Sequence, residues 1–183
     1  QYDGSSWTEV ANVNTARYTS MSADKGSQTA GLIFGGNPAG GSPHTTDICE
    51  SWNGTSWTEV GDLNESKRLG GGSGTSTAAY TFSGYSTGGT RTTATSSWNG
   101  SSWTAGTALN TARHAGGGGG TQTAALYVGG NDGSYNDNTE IWDGSSWTES
   151  GDLNTARSDH DLMTTDSTSA VAFGGNDPAA NQV

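Results

Sequence analysis

The chain has 183 residues, 30 of them glycine, and carries a net charge of −11 with only seven Lys and Arg residues. This acidity argues against binding to a nucleic-acid backbone or to an anionic membrane surface, and no apolar run reaches the ~20 residues of a membrane-spanning helix. Leu, Ile, Val and Phe make up only about a tenth of the chain, whereas seven Trp are present, so we predict a turn-rich, all-β protein with an aromatic core.

A short aromatic pattern recurs four times and divides the chain into repeating units. In each copy two aromatic residues flank an Asn-Gly or Asp-Gly turn: Tyr2 and Trp7, Trp52 and Trp57, Trp98 and Trp103, and Trp142 and Trp147. An Asn lies seven residues after each second Trp, and a cation lies three residues after that Asn: Arg17, Lys67, Arg113 or Arg157. The units span approximately 14–63, 64–109, 110–153, and 154–183 together with 1–13.

Each unit is predicted to form four short strands. The first follows the cation, as in 18–23, the third ends at the first aromatic residue, as in 47–52, and the fourth begins at the second, as in 57–62. The last two are joined by Asn-Gly or Asp-Gly, which suits a tight hairpin turn with positive φ angles. In units 1, 3 and 4 the second strand ends at a glycine pair: Gly35 and Gly36, Gly129 and Gly130, Gly174 and Gly175. Unit 2 has Ser83-Gly84 at this position.

The order of these features resembles the kelch repeat of β-propellers over the whole chain. The repeated sequence from Asn-Gly-Ser-Ser-Trp-Thr to Leu-Asn-Thr-Ala-Arg is also similar to kelch-like repeats in predicted structural proteins of marine bacteriophages. Four strands at each of four repeats favour propeller blades on their own account. We therefore expect an all-β fold, a β-propeller of four kelch-like, four-stranded blades.

The fourth unit is divided between the two ends of the sequence. Residues 154–183 carry its first two strands and the beginning of the third, whereas residues 1–13 carry the fourth. Together they are expected to complete one blade and so remove an open sheet edge. Completion within one chain gives a four-bladed ring, and completion between chains gives a head-to-tail ring or a filament.

The repeated Trp residues are predicted to pack between blades, because they are the large apolar groups that recur at equivalent positions. The second Trp of each pair is expected to be largely buried: Trp7, Trp57, Trp103 and Trp147. A sugar-stacking surface is the alternative. The repeated cations are expected to pair with nearby carboxylates, and a ring of cations that binds an anion is the alternative. The carboxylates considered are Glu9, Glu59, Asp62, Glu149 and Asp152.

The oxygen-rich loop from 131 to 140 is a candidate calcium site, with Asp132, Asn136 and Asp137 as the ligands. An ordinary polar loop is the favoured interpretation, and no other cofactor is expected. The three histidines, His44, His114 and His160, do not occupy equivalent positions, so they do not predict a shared copper site. Ser158 to Asp161 contains the residue types of a catalytic triad, but neighbours in a strand point to opposite faces. We expect no enzymatic activity.

These observations favour a non-catalytic structural or surface-display propeller of a virion or another extracellular assembly, such as an appendage, a capsid-associated protein or a fibre subunit. The expected partners are copies of the chain or other structural proteins of that assembly, without nucleic acid or membrane insertion. The alternative is an attachment module that binds a host glycan or a protein receptor. It would act through the loops at 37–46, 85–95 and 131–139, which differ most between the units.

Overall fold

The computed structural model describes residues 1–40 and 44–179, and these consist of β-strands, turns and irregular segments. The strands pair in antiparallel sheets, and no helix occurs among the described residues. The all-β prediction is therefore confirmed. No helix in these two ranges is long and apolar enough to cross a membrane.

Units 1 and 2 have the same architecture, a four-stranded sheet with a small two-stranded ladder at one end. Unit 1 contains β1 (Arg17–Tyr18), β2 (Met21–Ser22), β3 (Gly31–Phe34), β4 (Asn37–Pro38), β5 (Cys49–Trp52) and β6 (Trp57–Val60). Unit 2 contains β7 (Lys67–Arg68), β8 (Gly71–Thr75), β9 (Ala78–Phe82), β10 (Tyr85–Ser86), β11 (Thr95–Trp98) and β12 (Trp103–Ala105). The sheets run β2-β3-β5-β6 and β8-β9-β11-β12, and the ladders pair β1 with β4 and β7 with β10.

Unit 3 forms the third four-stranded sheet, whereas unit 4 forms only half of one. The strands of unit 3, in sheet order, are β13 (Gly117–Gly120), β14 (Ala125–Asn131), β15 (Tyr135–Trp142) and β16 (Trp147–Glu149). Unit 4 contributes the two-stranded sheet of β17 (Asp161–Asp166) and β18 (Ser169–Phe173), and an isolated bridge joins Tyr2 to Trp7. The predicted fourth strand in residues 1–13 is not formed. The beginning of the predicted third strand, which would lie between β18 and the fourth strand, falls in residues 180–183, outside the described ranges.

Backbone hydrogen bonds join successive units at equivalent positions. Thr19, Leu69, Ala115 and Asp159 all adopt φ angles between 53° and 56°. The Leu69 N–H donates to the Thr19 carbonyl (3.1 Å), Ala115 to Leu69 (2.8 Å) and Asp159 to Ala115 (2.7 Å). The bond between Thr19 and Asp159 that would complete the series is not formed in the described part of the chain. The units thus follow one another regularly, but the sheets do not close.

The glycine pairs form the second set of contacts between units. Gly35 and Gly36 have φ angles of 62° and 111°, which glycine adopts readily. A Cβ on Gly35 would lie 2.4 Å from the carbonyl oxygen of Lys67 in unit 2, so a side chain does not fit there. Gly129, Gly130, Gly174 and Gly175 also have positive φ angles. The second glycine donates its N–H to the carbonyl of the next cation in three cases: Gly36 to Lys67, Gly84 to Arg113, and Gly130 to Arg157.

Aromatic residues form the core between neighbouring units. Phe34 of unit 1 packs edge-on against Trp103 of unit 2, and Phe82 of unit 2 packs in the same way against Trp147 of unit 3, both at 5.0 Å between ring centroids. The first Trp of each pair is buried, and its indole N–H donates to the turn between the first two strands of its own unit. These bonds run from Trp52 to Gln28, Trp98 to Ser76, and Trp142 to Gln122.

The burial prediction for the second Trp holds for Trp103 and Trp147 and is wrong for Trp7. Trp7 is 81% exposed and Trp57 is half-buried. Each contact joins the second Trp of one unit to the end of the second strand of the preceding unit. Phe173, the unit 4 residue equivalent to Phe34 and Phe82, would meet Trp57 in this arrangement but remains 44% exposed. Trp7 is exposed because the fourth strand that would carry it is not formed.

Candidate functional site

The strand order gives the molecule two different ends. One end, which we call the loop end, carries the residues that follow each repeated cation and the loops between the second and third strands. The opposite end, the turn end, carries the Asn-Gly and Asp-Gly hairpins. There, Asp143 accepts hydrogen bonds from the Ser146 and Ser145 N–H groups, and these bonds, with that of the Ser145 hydroxyl, lower the pKa of Asp143 to about 2. The hairpins are thus satisfied within themselves, whereas the loop end is where the units differ.

The three loops that vary most between units contact one another at the loop end. Thr45 Oγ1 lies 3.4 Å from Thr87 Oγ1, which joins the first loop to the second. Arg91 Nε donates to the Asn131 carbonyl (3.2 Å) and Arg91 Nη2 to its Oδ1 (3.3 Å), which joins the second loop to the third. Residues 41–43 of the first loop lie outside the described ranges. The described parts of the loops therefore form one continuous surface.

Tyr85 lies at the centre of a group of cationic and aromatic side chains on this surface. The β7–β10 ladder pairs Tyr85 directly with Arg68. The guanidinium carbons of Arg68 and Arg91 lie 5.2 and 5.8 Å from the centre of the Tyr85 ring, within the range of cation–π contacts. The His114 ring centroid lies 4.1 Å from that of Tyr85. Burial, and then the charge of Arg91, lower the pKa of His114, so its neutral form is favoured here.

A cavity of about 280 Å³ opens beside this group. Arg68 provides its permanent charge, and the lining also includes three hydroxyl-bearing residues and two glycines. Arg68 Nε is buried without a hydrogen-bond partner, and the ion pairs within the described residues do not include Arg68. The lining residues are His44, Thr45, Arg68, Ser86, Thr87, Gly88 and Gly89.

The sequence predicted the loop 85–95 as a recognition segment but missed Arg68. A position-by-position alignment of the four units contains the signal. The residue after the repeated cation is Tyr18, Arg68, His114 and Ser158 in units 1 to 4. The residue after the glycine pair, or after Ser83-Gly84 in unit 2, is Asn37, Tyr85, Asn131 and Asn176. Unit 2 alone therefore brings an arginine and a tyrosine together at the loop end.

Two of the repeated cations form buried ion pairs, but not with the carboxylates that the sequence indicated. Arg17 Nη1 lies 2.7 Å from Glu50 Oε1, and Arg113 Nη1 lies 2.5 Å from Glu140 Oε1, with side chains at most 1% exposed. Each glutamate lies on the third strand, two residues before the first Trp. The same glutamates accept from backbone N–H groups, Glu50 from Asn14 (2.6 Å) and Glu140 from Asn110 (2.8 Å). Because Arg17 and Arg113 are held in these buried ion pairs, they are not free to bind an anion.

The same position in unit 2 is built differently. Ser96 stands where units 1 and 3 have Glu50 and Glu140, and Lys67 replaces the arginine. Lys67 is fully buried, and its ammonium group donates to the Ala94 carbonyl at 2.9 Å. Removal from water lowers the pKa of Lys67 to about 8, and the charge of Glu65 offsets this shift only in part.

This lysine predicts a pH dependence of stability. Between about pH 8 and the unfolded value of 10.5 the unfolded chain holds the Lys67 proton more tightly than the native chain does, so stability from this group rises with pH. From about pH 7 to about pH 10 the native protein should gain about 2 kcal/mol relative to a Lys67→Met variant. Urea unfolding of both proteins across this range measures the difference, and parallel pH profiles would contradict the assignment.

Two of the three candidate calcium ligands, Asp132 and Asn136, form hydrogen bonds within their own loop. Asp132 accepts hydrogen bonds from the Asn136 side chain (2.9 Å) and the Ser134 N–H (3.2 Å). Asn136 Oδ1 accepts from the Asn138 N–H at 2.7 Å. Asp137 uses its carbonyl to accept from the Leu153 N–H (2.9 Å). No group of three or more His, Cys, Asp or Glu side chains among residues 1–40 and 44–179 is placed to hold a metal ion.

The triad-like segment in unit 4 does not assemble a nucleophile and a base. Ser158 Oγ donates to the Asp159 carboxylate at 2.8 Å rather than to a histidine. His160 Nε2 accepts from the Gly117 N–H of unit 3 at 3.2 Å, which is a contact between units. Burial, and then Arg157, lower the pKa of His160.

Residues of all four units surround two small cavities between the first strands, of about 180 and 220 Å³. At the turn end Asp24 of unit 1 accepts from the Gly74 N–H of unit 2 (3.0 Å) and the Gly120 N–H of unit 3 (3.1 Å). Lys25 pairs with Asp24 at 2.6 Å and donates to the Thr164 carbonyl of unit 4. These two residues therefore connect all four units.

No protein-family model matches the chain, and no curated protein is similar to it at a significant level. Function is therefore best argued from the geometry of the loop end and of unit 4.

Proposed function

We propose that the chain is a four-bladed, kelch-like β-propeller that serves as a non-catalytic display scaffold on a virion or another extracellular assembly. The four units are its blades, and the hairpin of residues 1–13 completes the fourth. The scaffold presents the loops of the loop end to the surroundings. Its contacts within the assembly are with copies of itself or with other structural proteins.

The distribution of exposed apolar groups carries this proposal. Of the seven large hydrophobic side chains that are exposed in the described residues, six belong to unit 4 as the repeat defines it. They are Tyr2, Trp7, Val10, Met163, Val171 and Phe173, and the seventh is Tyr18 of unit 1. Exposed apolar side chains concentrated in one repeat unit indicate an unsatisfied contact. An unfinished fourth blade accounts for its position.

The placement of the amino-terminal hairpin supports completion by the same chain. In unit 3, Gln122 Nε2 donates to the Trp98 carbonyl of unit 2 at 2.5 Å. Gln28, at the equivalent position of unit 1, donates to the Tyr2 carbonyl. Tyr2 therefore has the relation to unit 1 that Trp98 has to unit 3. A completed fourth blade would pair Tyr2 with Ala170, as Trp98 pairs with Ala79.

The surface composition supports the display role. A net charge of −11 with seven Lys and Arg favours solubility and repels nucleic acid and anionic membranes. The loop end is the variable face on a repeated framework, and loops on a rigid framework are where recognition is commonly located.

Labelling of the native assembly tests the display function. An antibody fragment against the 85–95 loop should bind intact particles, and one against the 99–102 hairpin, at the turn end, serves as the matched control. Preferential binding by the first supports display of the loop end. A chain that is absent from the particles, or that presents only the turn end, would refute the proposal.

A second candidate function is attachment to a host glycan or receptor through the same loops. The cavity beside Arg68 favours it, because this cavity contains a cation without an ionic partner on the variable face.

A further inference from the structure

We infer that the cavity beside Arg68 binds a carboxylate-bearing saccharide, with the Arg68 guanidinium group on the sugar carboxylate. This inference rests on the second candidate function, attachment through the loops. It adds a ligand class, a binding residue and a location in unit 2.

Arg68 differs from the other cations of the chain in how its donors are used. Arg17 and Arg113 form buried ion pairs, and Lys25 pairs with Asp24. The remaining three donate to carbonyl or amide oxygens: Lys67 to Ala94, Arg91 to Asn131, and Arg157 to Gly174. The Arg68 side chain makes no hydrogen bond within the described residues, and its guanidinium group packs against the Tyr85 ring.

An unpaired guanidinium group that is partly removed from water favours an anionic partner. Desolvation without compensation is costly, and a carboxylate restores both charge and hydrogen bonds. The planar fork of arginine matches a planar carboxylate in a bidentate geometry. The ladder between β7 and β10 holds the side chain in place, because Lys67 points into the core and Arg68 points to the opposite face.

The rest of the cavity suits a hydroxylated ligand. Thr45, Ser86 and Thr87 line it; the Thr45 and Thr87 hydroxyl groups lie 3.4 Å apart, and the Ser86 hydroxyl group lies 2.9 Å from that of Thr90. A Cβ added to Gly88 or Gly89 would meet no atom of the described residues within 4 Å, so none of those residues covers the backbone of this turn. A volume of about 280 Å³ lies near the lower limit of ~300 Å³ for small-molecule sites, which suits a single sugar ring.

Other classes of ligand, a nucleic-acid backbone and a neutral sugar, fit this site less well. A nucleic-acid backbone would meet one arginine on a chain with a net charge of −11. Stacking of a neutral sugar needs an open aromatic face, whereas the Tyr85 ring is already in contact with Arg68, Arg91 and His114. The carboxylate is therefore the group that this site is expected to select.

Titration of the full chain with three trisaccharides tests the inference: trigalacturonate, the neutral trigalactose, and a sulfated trigalactose. Calorimetry gives the affinities, and amide chemical shifts locate the contact. We expect trigalacturonate to bind with millimolar affinity or better, with shifts at Thr45 and at 86–89, and at least tenfold more tightly than the other two.

The variants separate the guanidinium fork from its charge and from the fold. Arg68→Gln should weaken trigalacturonate binding at least tenfold, and Arg68→Lys, which keeps the charge, should weaken it less. Lys25→Gln removes the same charge at the turn end and should leave binding unchanged. Circular dichroism checks that each variant is folded.

Several results would overturn the inference: no binding of trigalacturonate, equal binding of the neutral sugar, tighter binding of the sulfated sugar, or unchanged binding by Arg68→Gln. Failure here differs from failure of the display scaffold. The scaffold is tested by the accessibility of the loop end on native particles, which requires no sugar.

Discussion

Replacement of Trp147 by alanine is expected to lower the free energy of unfolding by about 3–5 kcal/mol. Trp147 is only 6% exposed. Its ring packs edge-on against Phe82 at 5.0 Å and stacks with Tyr80 at 6.1 Å, both across the boundary between units 3 and 2. Removing it would leave a cavity at a contact that joins two sheets, so both the buried area and the attachment between the units would be lost.

Urea unfolding followed by circular dichroism measures this loss. Trp147→Phe is the matched control, because it keeps an aromatic ring against Phe82 and should therefore cost clearly less than the alanine variant. Unchanged stability of Trp147→Ala would contradict the packing role and favour the alternative that the Trp pairs stack on sugars.

Replacement of Glu140 by serine is expected to cost about 3–5 kcal/mol, because it leaves Arg113 buried without its carboxylate. Both side chains are fully buried, and the guanidinium nitrogen lies 2.5 Å from the carboxylate oxygen. Glu140 also accepts a hydrogen bond from the Asn110 N–H at 2.8 Å, so its loss leaves both this N–H and the Arg113 guanidinium group without their acceptor.

Unit 2 supplies the compensating change. Lys67 and Ser96 occupy the positions there that Arg113 and Glu140 occupy in unit 3, so adding Arg113→Lys to Glu140→Ser reproduces that combination of residues. We expect the double variant to be more stable than Glu140→Ser alone, because the lysine can donate to a backbone carbonyl as Lys67 does. A double-mutant cycle by urea unfolding gives the coupling energy. Strictly additive effects of the two substitutions would rule out this account of the ion pair.

The strands next to the hairpin turns were predictable because their signals are local. The predicted strands 47–52 and 57–62 correspond to Cys49–Trp52 and Trp57–Val60. The first strand, predicted at 18–23, is instead interrupted at Thr19, which adopts a φ of 53°. Nothing in a threonine indicates a left-handed backbone conformation. It is held by a contact with the next unit, since its carbonyl accepts from the Leu69 N–H.

The chemistry of the candidate site was harder to predict because its partners are far apart in sequence. Arg17 pairs with Glu50, 33 residues away, whereas the carboxylates predicted as partners lie on or near the fourth strand. The loop 85–95 was recognised from its variability, but Arg68 reaches the site through strand pairing with Tyr85. The sequence context of Trp7 matches the other copies and predicts burial, yet Trp7 is exposed because residues 1–13 do not form the strand that would place it against the preceding unit.

The most direct test of the four-bladed arrangement is a disulfide between residues 2 and 170. The variant carries Tyr2→Cys and Ala170→Cys, and Tyr2→Cys alone is the control. The native Cys49 does not interfere, because burial raises the pKa of its thiol to about 12. Under mild oxidation we predict a disulfide within one chain, seen as a faster-migrating monomer on a non-reducing gel. A disulfide only between chains, or none at all, would contradict completion of the fourth blade by the amino-terminal hairpin of the same molecule.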